Sequence, residues 1–340
     1  MQIQQVMITG QHQAELQRVE LSEQLGRDEL LIETEYSFIS AGTELSIYTG
    51  TEPKVHQPGS WCSYPWNSGY ANVGIVREVG SGVTGIQTGD RVFSFGRHAS
   101  VIKMSQKRMV AKVPPGLDPK LAAASRMAGV AATSAILSVT NVNDWVVVFG
   151  LGMVGNMAAQ FFQGKGCRVL GVDPVESRRK VAESCGILRT FGGSPEEVQQ
   201  EVARLTGGNL CDISVDAVGH TNVVMQAMRA TAKLGQVVLL GSPRAEVQGN
   251  ITAVLSEIHL RNITVRGALE WCLPQYSDFP GRTSLYSKQL WIFDWLEQGK
   301  LRLDPLVSHV MGAERIKEAY DGLLHKPEEF TGVILDWGGL

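Results

Sequence analysis

The chain has no cysteine framework. Its five cysteines, Cys62, Cys167, Cys185, Cys211 and Cys272, are odd in number, widely spaced and never paired as C-x-x-C. That excludes a disulfide scaffold and argues against a cysteine-rich zinc lobe. A dominant charge is also missing. With 31 basic and 34 acidic residues the net charge is −3, and no basic block or acidic tail is present. Neither nucleic acid nor a membrane surface is therefore an expected partner. The start, MQIQQVMITGQHQAEL, alternates like a strand and lacks the charged segment and apolar run of a signal peptide. Leu121 to Val139 is the one stretch long enough to mimic a membrane span. It carries Arg126 near its middle and is rich in Ala and Ser, so it reads as buried helix. No internal repeat is visible. The expectation is a soluble cytoplasmic enzyme, and 340 residues suffice for two domains with full cores.

What is present is a dinucleotide-binding pattern. The apolar strand Val146–Phe149 runs straight into Gly150, Gly152 and Gly155 in G-x-G-x-x-G spacing, and a helix-like stretch follows to about Gly164. Gly150 makes a tight turn, Gly152 admits a pyrophosphate to the backbone of Leu151, Met153 and Val154, and Gly155 lets helix pack on strand. The helix start offers unpaired N–H groups to the phosphates. A second strand, Arg168–Val172, ends in Asp173, roughly the twenty residues downstream expected of a ribose-binding acid. An acid there accepts from both ribose hydroxyls and repels a 2′-phosphate, which points to NAD(H). Arg178 and Arg179, on the following helix, are placed either to soften that preference or simply to face solvent.

Around this unit the first hundred residues are glycine-punctuated strands: Glu29–Thr34, Gly74–Val79, Asp90–Phe95, Ser100–Lys103 and Met109–Val113. Pro114-Pro115-Gly116 closes that region, and from Ala122 the pattern is helical. Strands at Val146–Phe149, Arg168–Val172, Leu188–Thr190, Ile213–Ala217, Val237–Leu240 and Thr264–Gly267 alternate with helices, giving an α/β fold with a doubly wound parallel sheet of six strands. After Ala268 come an irregular aromatic stretch, helices at Tyr286–Gln298 and Ala313–Leu324, and a last strand, Gly332–Trp337. The boundaries read as 1–120, a β-rich substrate domain; 121–267, the dinucleotide domain; and 268–340, a segment returning to the first.

This order, together with Gly42-Thr43-Glu44, Gly89-Asp90-Arg91-Val92, Asp216-Ala217-Val218-Gly219 and Val237 to Gly241, resembles the medium-chain dehydrogenase/reductase superfamily, whose members join a GroES-like domain to a Rossmann domain. The segments SAGTE, FGRHA, LLGSPR, EIH and LDW look most like the subgroup around bacteriochlorophyllide 3-hydroxyethyl dehydrogenase. The resemblance implies a dehydrogenase of the 1.1.1 class, and it extends the cofactor site to Val218, Gly241 and Ser242. Zinc-containing members carry ligands at positions that here read Ala41, Tyr70 and Met127. Ala offers no donor, Tyr is a rare zinc ligand and a thioether is too soft, so no zinc is expected.

In zinc enzymes of this superfamily the metal polarises the substrate oxygen; here hydroxyls and cations would take over. The resemblance puts Thr43 where the family's Ser or Thr touches that oxygen, and Ser46 where a proton-relaying His often stands. Tyr70 either acts as a general acid, with Arg126 as the cation lowering its pKa, or plugs the vacated metal cavity. Glu44 is expected to hold the framework by pairing. His98 lies near the family's substrate pocket or is a surface histidine, and Trp61, Trp66 and Trp271 either line an aromatic pocket or belong to the core.

The resulting expectation is a zinc-independent, NAD(H)-linked enzyme interconverting a secondary alcohol and a ketone. A reductase of activated C=C bonds and a non-catalytic dinucleotide-binding protein are the alternatives. Thr264–Gly267 would leave an open sheet edge, so a homodimer or dimer of dimers is expected.

Overall fold

The computed structural model describes residues 1–277, 279 and 283–339. The chain divides into two units. One comprises Met1–Arg126, Leu273–Gly299 and Leu306–Leu340, the other Met127–Cys272 and Lys300–Pro305.

In the first unit, strands β1 (Gln2–Gly10) and β2 (Gln13–Glu20) form a hairpin. Strand β3 (Glu29–Phe38) leads into helix α1 (Ala41–Tyr48), and the short β4 (Trp66–Asn67) completes a three-stranded sheet, β2-β1-β4. Strands β5 (Asn72–Val79), β6 (Arg91–Ser94), β7 (Val101–Ser105) and β8 (Val110–Lys112) build on β3. Leu30, Ile32, Val76, Val92, Ile102 and Val110, alternating along these strands, form one core cluster. The β3–β5 approach needs Gly74, where an added Cβ would sit 2.1 Å from the Glu33 carbonyl oxygen.

Helix α2 (Pro119–Leu137) runs across the division at Arg126/Met127. The second unit then alternates strand and helix: β9 (Trp145–Phe149), α3 (Met153–Gly164), β10 (Arg168–Val172), α4 (Glu176–Ser184), β11 (Thr190–Phe191), α5 (Pro195–Leu205), β12 (Cys211–Asp216), α6 (Thr221–Ala230), β13 (Thr231–Leu239), α7 (Ile251–Arg261) and β14 (Thr264–Gly267). All six strands are parallel, in the order β11-β10-β9-β12-β13-β14. The order reverses between β9 and β12, and such a switch point opens a crevice at the carboxyl ends of the strands. The chain returns to the first unit with α8 (Leu285–Glu297), β15 (His309–Gly312), α9 (Ile316–His325) and β16 (Val333–Asp336), which pairs antiparallel with β3.

The GroES-like unit and the six-stranded parallel sheet agree with the sequence-based expectation; several details differ. The strand expected at Leu188–Thr190 lies at Thr190–Phe191. Gly186, at φ +91°, turns the chain after α4 and leaves Leu188 82% exposed, so pairing with β10 begins only at Thr190. The helix expected from Ala313 opens with a tight 3-10 turn, Ala313–Arg315, before α9 begins. The units divide at 126 and 272, where the sequence suggested 120 and 267, and the first division falls within helix α2. Helix α1 was not anticipated, since Gly42 and Thr43 are poor helix formers. Its cause lies in the site described next. The apolar stretch at Leu121–Val139 is helix α2, and no helix among the described residues is long and apolar enough to cross a membrane.

Candidate active site

Glu44 is fully buried, and every oxygen of its carboxylate is engaged. Oε1 accepts the Ser40 N–H at 2.7 Å, which pins the start of α1 one turn back from Glu44 itself. Oε2 accepts from the Tyr320 hydroxyl at 2.7 Å, the Ser68 hydroxyl at 2.8 Å and His98 Nε2 at 3.0 Å. His98 Nδ1 lies 2.8 Å from Ser37 Oγ, which also accepts the Trp337 indole N–H at 2.9 Å. A carboxylate beside His98 Nε2 requires that nitrogen to carry its proton. Burial alone would raise the Glu44 pKa. Attraction to His98 and hydrogen bonds from His98, Tyr320 and the Ser40 amide outweigh it and hold the acid below its ordinary value.

On the α1 turn that Glu44 fixes, three hydroxyls meet. Tyr70 OH and Ser40 Oγ form a short hydrogen bond, and Tyr70 OH donates to Thr43 Oγ1 at 3.2 Å. A phenol has one proton, so with Tyr70 donating to Thr43, Ser40 donates to Tyr70 and the Thr43 proton has no acceptor among the described residues. The buried Arg126 guanidinium stacks 4.7 Å from the Tyr70 ring centre and 4.1 Å from that of Phe95. Burial raises the Tyr70 pKa more than Arg126 and the two hydroxyls lower it. Arg126 thus acts on the phenol in the expected direction, but burial outweighs it and leaves the Tyr70 pKa above its ordinary value.

His98 is no surface histidine. It is 0% exposed and both ring nitrogens are engaged, because Gly69 brings the chain so close that an added Cβ would lie 2.5 Å from the His98 backbone nitrogen. Trp66 is buried in the core with Cys62 and Tyr48, and Trp61 packs edge-on against it at 6.4 Å while remaining exposed. Trp271 is exposed and belongs to the other unit, so the three tryptophans do not form one patch within a unit. Met127 is buried on α2 beyond the division. Ser46 is turned away from the hydroxyls, donating to the Thr43 carbonyl. Sequence reasoning missed Ser40, Ser68, Ser37, Tyr320 and Trp337. Ser40, an N-cap residue type directly ahead of Ala41-Gly42-Thr43-Glu44, carried a local signal; Tyr320, 276 positions from Glu44, carried none.

These donors do not suit a divalent metal. The cluster consists of neutral hydroxyls beside a resident guanidinium. Glu44 and His98 are saturated, and no group of three or more His, Cys, Asp or Glu among the described residues could hold an ion.

The second unit does suit a dinucleotide. Gly155 packs so closely that a Cβ would meet the Gly150 carbonyl oxygen at 1.8 Å, whereas a Cβ on Gly152 would project into open space. Helix α3 has no side-chain cap, so the amides of Met153 and Val154 remain available to an anion. Gly150, Val218, Gly219, Gly241 and Ser242 converge: a Cβ on Gly150 would touch Val218, and one on Gly219 would touch Ser242. Asp173 is buried, accepting from Leu151 N–H at 2.8 Å and Val175 N–H at 2.9 Å. Arg178 is not a plain surface arginine: its side chain is 30% exposed and Nη1 lies 3.7 Å from Asp173 Oδ2. Arg179 instead caps the Asp173 and Pro174 carbonyls.

The Glu44 network predicts an acid-sensitive fold. Because its folded pKa is lowered, Glu44 stabilises fully above its ordinary value of 4.5, and that contribution is lost as pH falls through the lower folded value. Glu44→Gln leaves a neutral amide among four donors and should cost roughly 3–5 kcal/mol at neutral pH. Urea denaturation across the acid range should show a flattened acid limb in the variant. Acid limbs of equal slope in both proteins would contradict this role.

The alcohol dehydrogenase GroES-like domain model matches residues 26–144, and the zinc-binding dehydrogenase model matches 153–285. The chain is 23% identical over 331 residues to L-threonine 3-dehydrogenase of Bacillus velezensis, covering 87% of this chain and 88% of that one. It is 28% identical over 352 residues to 2-desacetyl-2-hydroxyethyl bacteriochlorophyllide A dehydrogenase of Cereibacter sphaeroides, covering 98% and 97%. That relative is one among many comparably distant ones, so the narrower subgroup resemblance is not singled out. In fold alone, the chain is similar to the short chain alcohol dehydrogenase of Escherichia coli complexed with NADH, at TM-score 0.80 and 18% identity over 98% of this chain and 99% of that one. Matches on both units, one after the other, place the chain in the zinc-type alcohol dehydrogenase superfamily of medium-chain dehydrogenases/reductases, as an alcohol dehydrogenase-like oxidoreductase.

Proposed function

We propose that this protein is a zinc-independent, NAD(H)-linked dehydrogenase interconverting a secondary alcohol and a ketone. The observation that carries the reading is the Ser40–Tyr70–Thr43 hydroxyl chain beside the buried Arg126 guanidinium. The nicotinamide, when bound, takes or gives the hydride. The chain's own residues manage the proton and the oxygen. In reduction, Thr43 Oγ1 gives its proton to the ketone oxygen and takes that of Tyr70, Tyr70 takes that of Ser40, and water reprotonates Ser40. In oxidation each transfer runs backwards and the proton leaves to water. Arg126 supplies fixed positive charge near the developing alkoxide, the electrostatic service a metal would otherwise provide. Replacing Tyr70 by Phe keeps the ring over Arg126 and breaks the relay. Loss of a general acid costs about 10²–10⁴-fold, so kcat should fall by that order with NADH affinity nearly unchanged. Turnover within a few-fold of native would remove Tyr70 from the chemistry.

The same donor set supports zinc independence. Purified protein should hold no stoichiometric zinc by elemental analysis, and a chelator should leave its activity intact. About one tight zinc per chain, with activity lost on chelation, would refute this.

Asp173, held by two backbone amides, supports a preference for NAD(H). A 2′-phosphate there forfeits hydrogen bonds and meets like charge, worth about 1–3 kcal/mol, or tenfold or more. Asp173→Ser removes that repulsion and releases Arg178 to pair with the phosphate, so the ratio of NADP(H) to NAD(H) dissociation constants should shrink towards unity. Equal affinities in the native protein would sink the assignment.

For assembly, β14 ends the sheet with an unpaired edge. Helix α7 buries none of its residues, leaving Ile251, Leu255 and Leu260 exposed, and Val265 on β14 is exposed as well. This supports a homodimer in which two β14 edges pair across a two-fold axis, or a dimer of such dimers. Light scattering at micromolar concentration should report at least a dimer, and a monomer would contradict the proposal.

A further inference from the structure

Asp216 ends β12, across the sheet's switch point from Asp173, and takes no part in the hydroxyl chain. It is fully buried. One oxygen of its side chain, Oδ1, accepts the Val218 N–H at 3.0 Å and the Gly219 N–H at 3.1 Å. Its backbone carbonyl accepts the Leu240 N–H at 2.9 Å and the Gly241 N–H at 2.8 Å, where the chain leaves β13. The next residue, Ala217, donates to the Phe149 carbonyl at 2.9 Å, just ahead of the glycine turn. The segments so joined have no slack between them. A Cβ on Gly241 would lie 2.2 Å from the Gly219 nitrogen, one on Gly219 2.7 Å from the Ser242 carbonyl oxygen, and one on Gly150 2.7 Å from Val218 Cγ2.

Stability alone does not account for an acid here. Oδ2 is buried with no partner among the described residues, and such an oxygen costs free energy. Burial raises the Asp216 pKa more than the two amides and the charge of His220 lower it. Asp173, by contrast, has an amide donor on each oxygen. A dinucleotide crosses the crevice of such a sheet with its pyrophosphate at the glycine turn, so its two halves lie on either side of the switch point. Asp173 stands on the β10 side, which leaves the nicotinamide half to the ends of β12 and β13. We infer that Asp216 is a positioning residue for the nicotinamide half of the dinucleotide, acting through the Val218 and Gly219 amides that its side chain fixes against Gly241 and Ser242. This rests on the NAD(H)-linked reading of the second unit. The adenosine half, held at Asp173, is built independently of it.

The test titrates NADH, and ADP as the adenosine half with both phosphates, into the native protein and its variants by calorimetry. Asp216→Ala should weaken NADH about tenfold, the order expected for two lost hydrogen bonds, and leave ADP within about twofold. Asp216→Asn keeps an oxygen for both amides and should bind both ligands within about twofold of native. Should Asp216→Ala not fold, Gly219→Ala moves the same segment through its clash with Ser242 and should show the same split. Equal losses of NADH and ADP, or no loss of NADH, overturn the role. So does a loss of NADH in Asp216→Asn as large as in Asp216→Ala, since the amides there keep their acceptor. A native protein that binds neither ligand overturns the role together with the cofactor reading, whereas native binding of both without the split overturns the role alone. The split, with no hydride transfer to any of a broad alcohol panel, upholds the role and counts against the dehydrogenase reading alone.

Discussion

A single buried carboxylate organises the first unit. Glu44 ties the start of α1 to a histidine on the far side of β6, to a serine just ahead of Tyr70 and to a tyrosine on the returning α9. A charge with no water around it is stable only if each lone pair meets a donor, so these segments are held in one arrangement. The turn at Ser40–Thr43, unpromising as helix by composition, is helical because that carboxylate accepts the Ser40 amide. The two hydroxyls of that turn thereby reach Tyr70. The same constraint commits Glu44 Oε2 and both ring nitrogens of His98 to partners within the protein.

The cofactor unit works by a different economy, in which space rather than charge is controlled. Gly155 is needed because a Cβ would collide with backbone, whereas a Cβ on Gly152 would project into open space. Around this cradle the polar groups are backbone amides, fixed in direction by secondary structure and insensitive to pH. Asp173 is held by two such amides, and the Arg178 guanidinium lies 3.7 Å from its carboxylate.

What the sequence made legible follows from how local each signal is. The strand–glycine–helix–acid pattern is continuous, and the structure places Gly150 to Gly155 and Asp173 together because chain proximity and fold proximity coincide there. The parallel sheet was legible from its apolar runs, save where Gly186 delayed a strand past Leu188. The first unit was harder. Tyr70, Thr43 and Arg126 were singled out by resemblance and do meet, but Ser40 was passed over. Tyr320 and Trp337 had no signal, since their partners are brought near only by the return of the chain after residue 306. His98 was misjudged for the same reason: its burial comes from the close approach of Gly69, which no neighbouring residue announces.

The account stands or falls on whether the substrate oxygen is held by the hydroxyl chain rather than by a metal. The most direct measurement is a crystal structure of the protein with NADH and an unreactive carboxamide whose oxygen mimics the ketone. The account predicts that oxygen at about 3 Å from Thr43 Oγ1, on the Tyr70 relay, with no metal density beside it. An oxygen ligated by a zinc ion, or bound out of reach of both Thr43 and Tyr70, would contradict it.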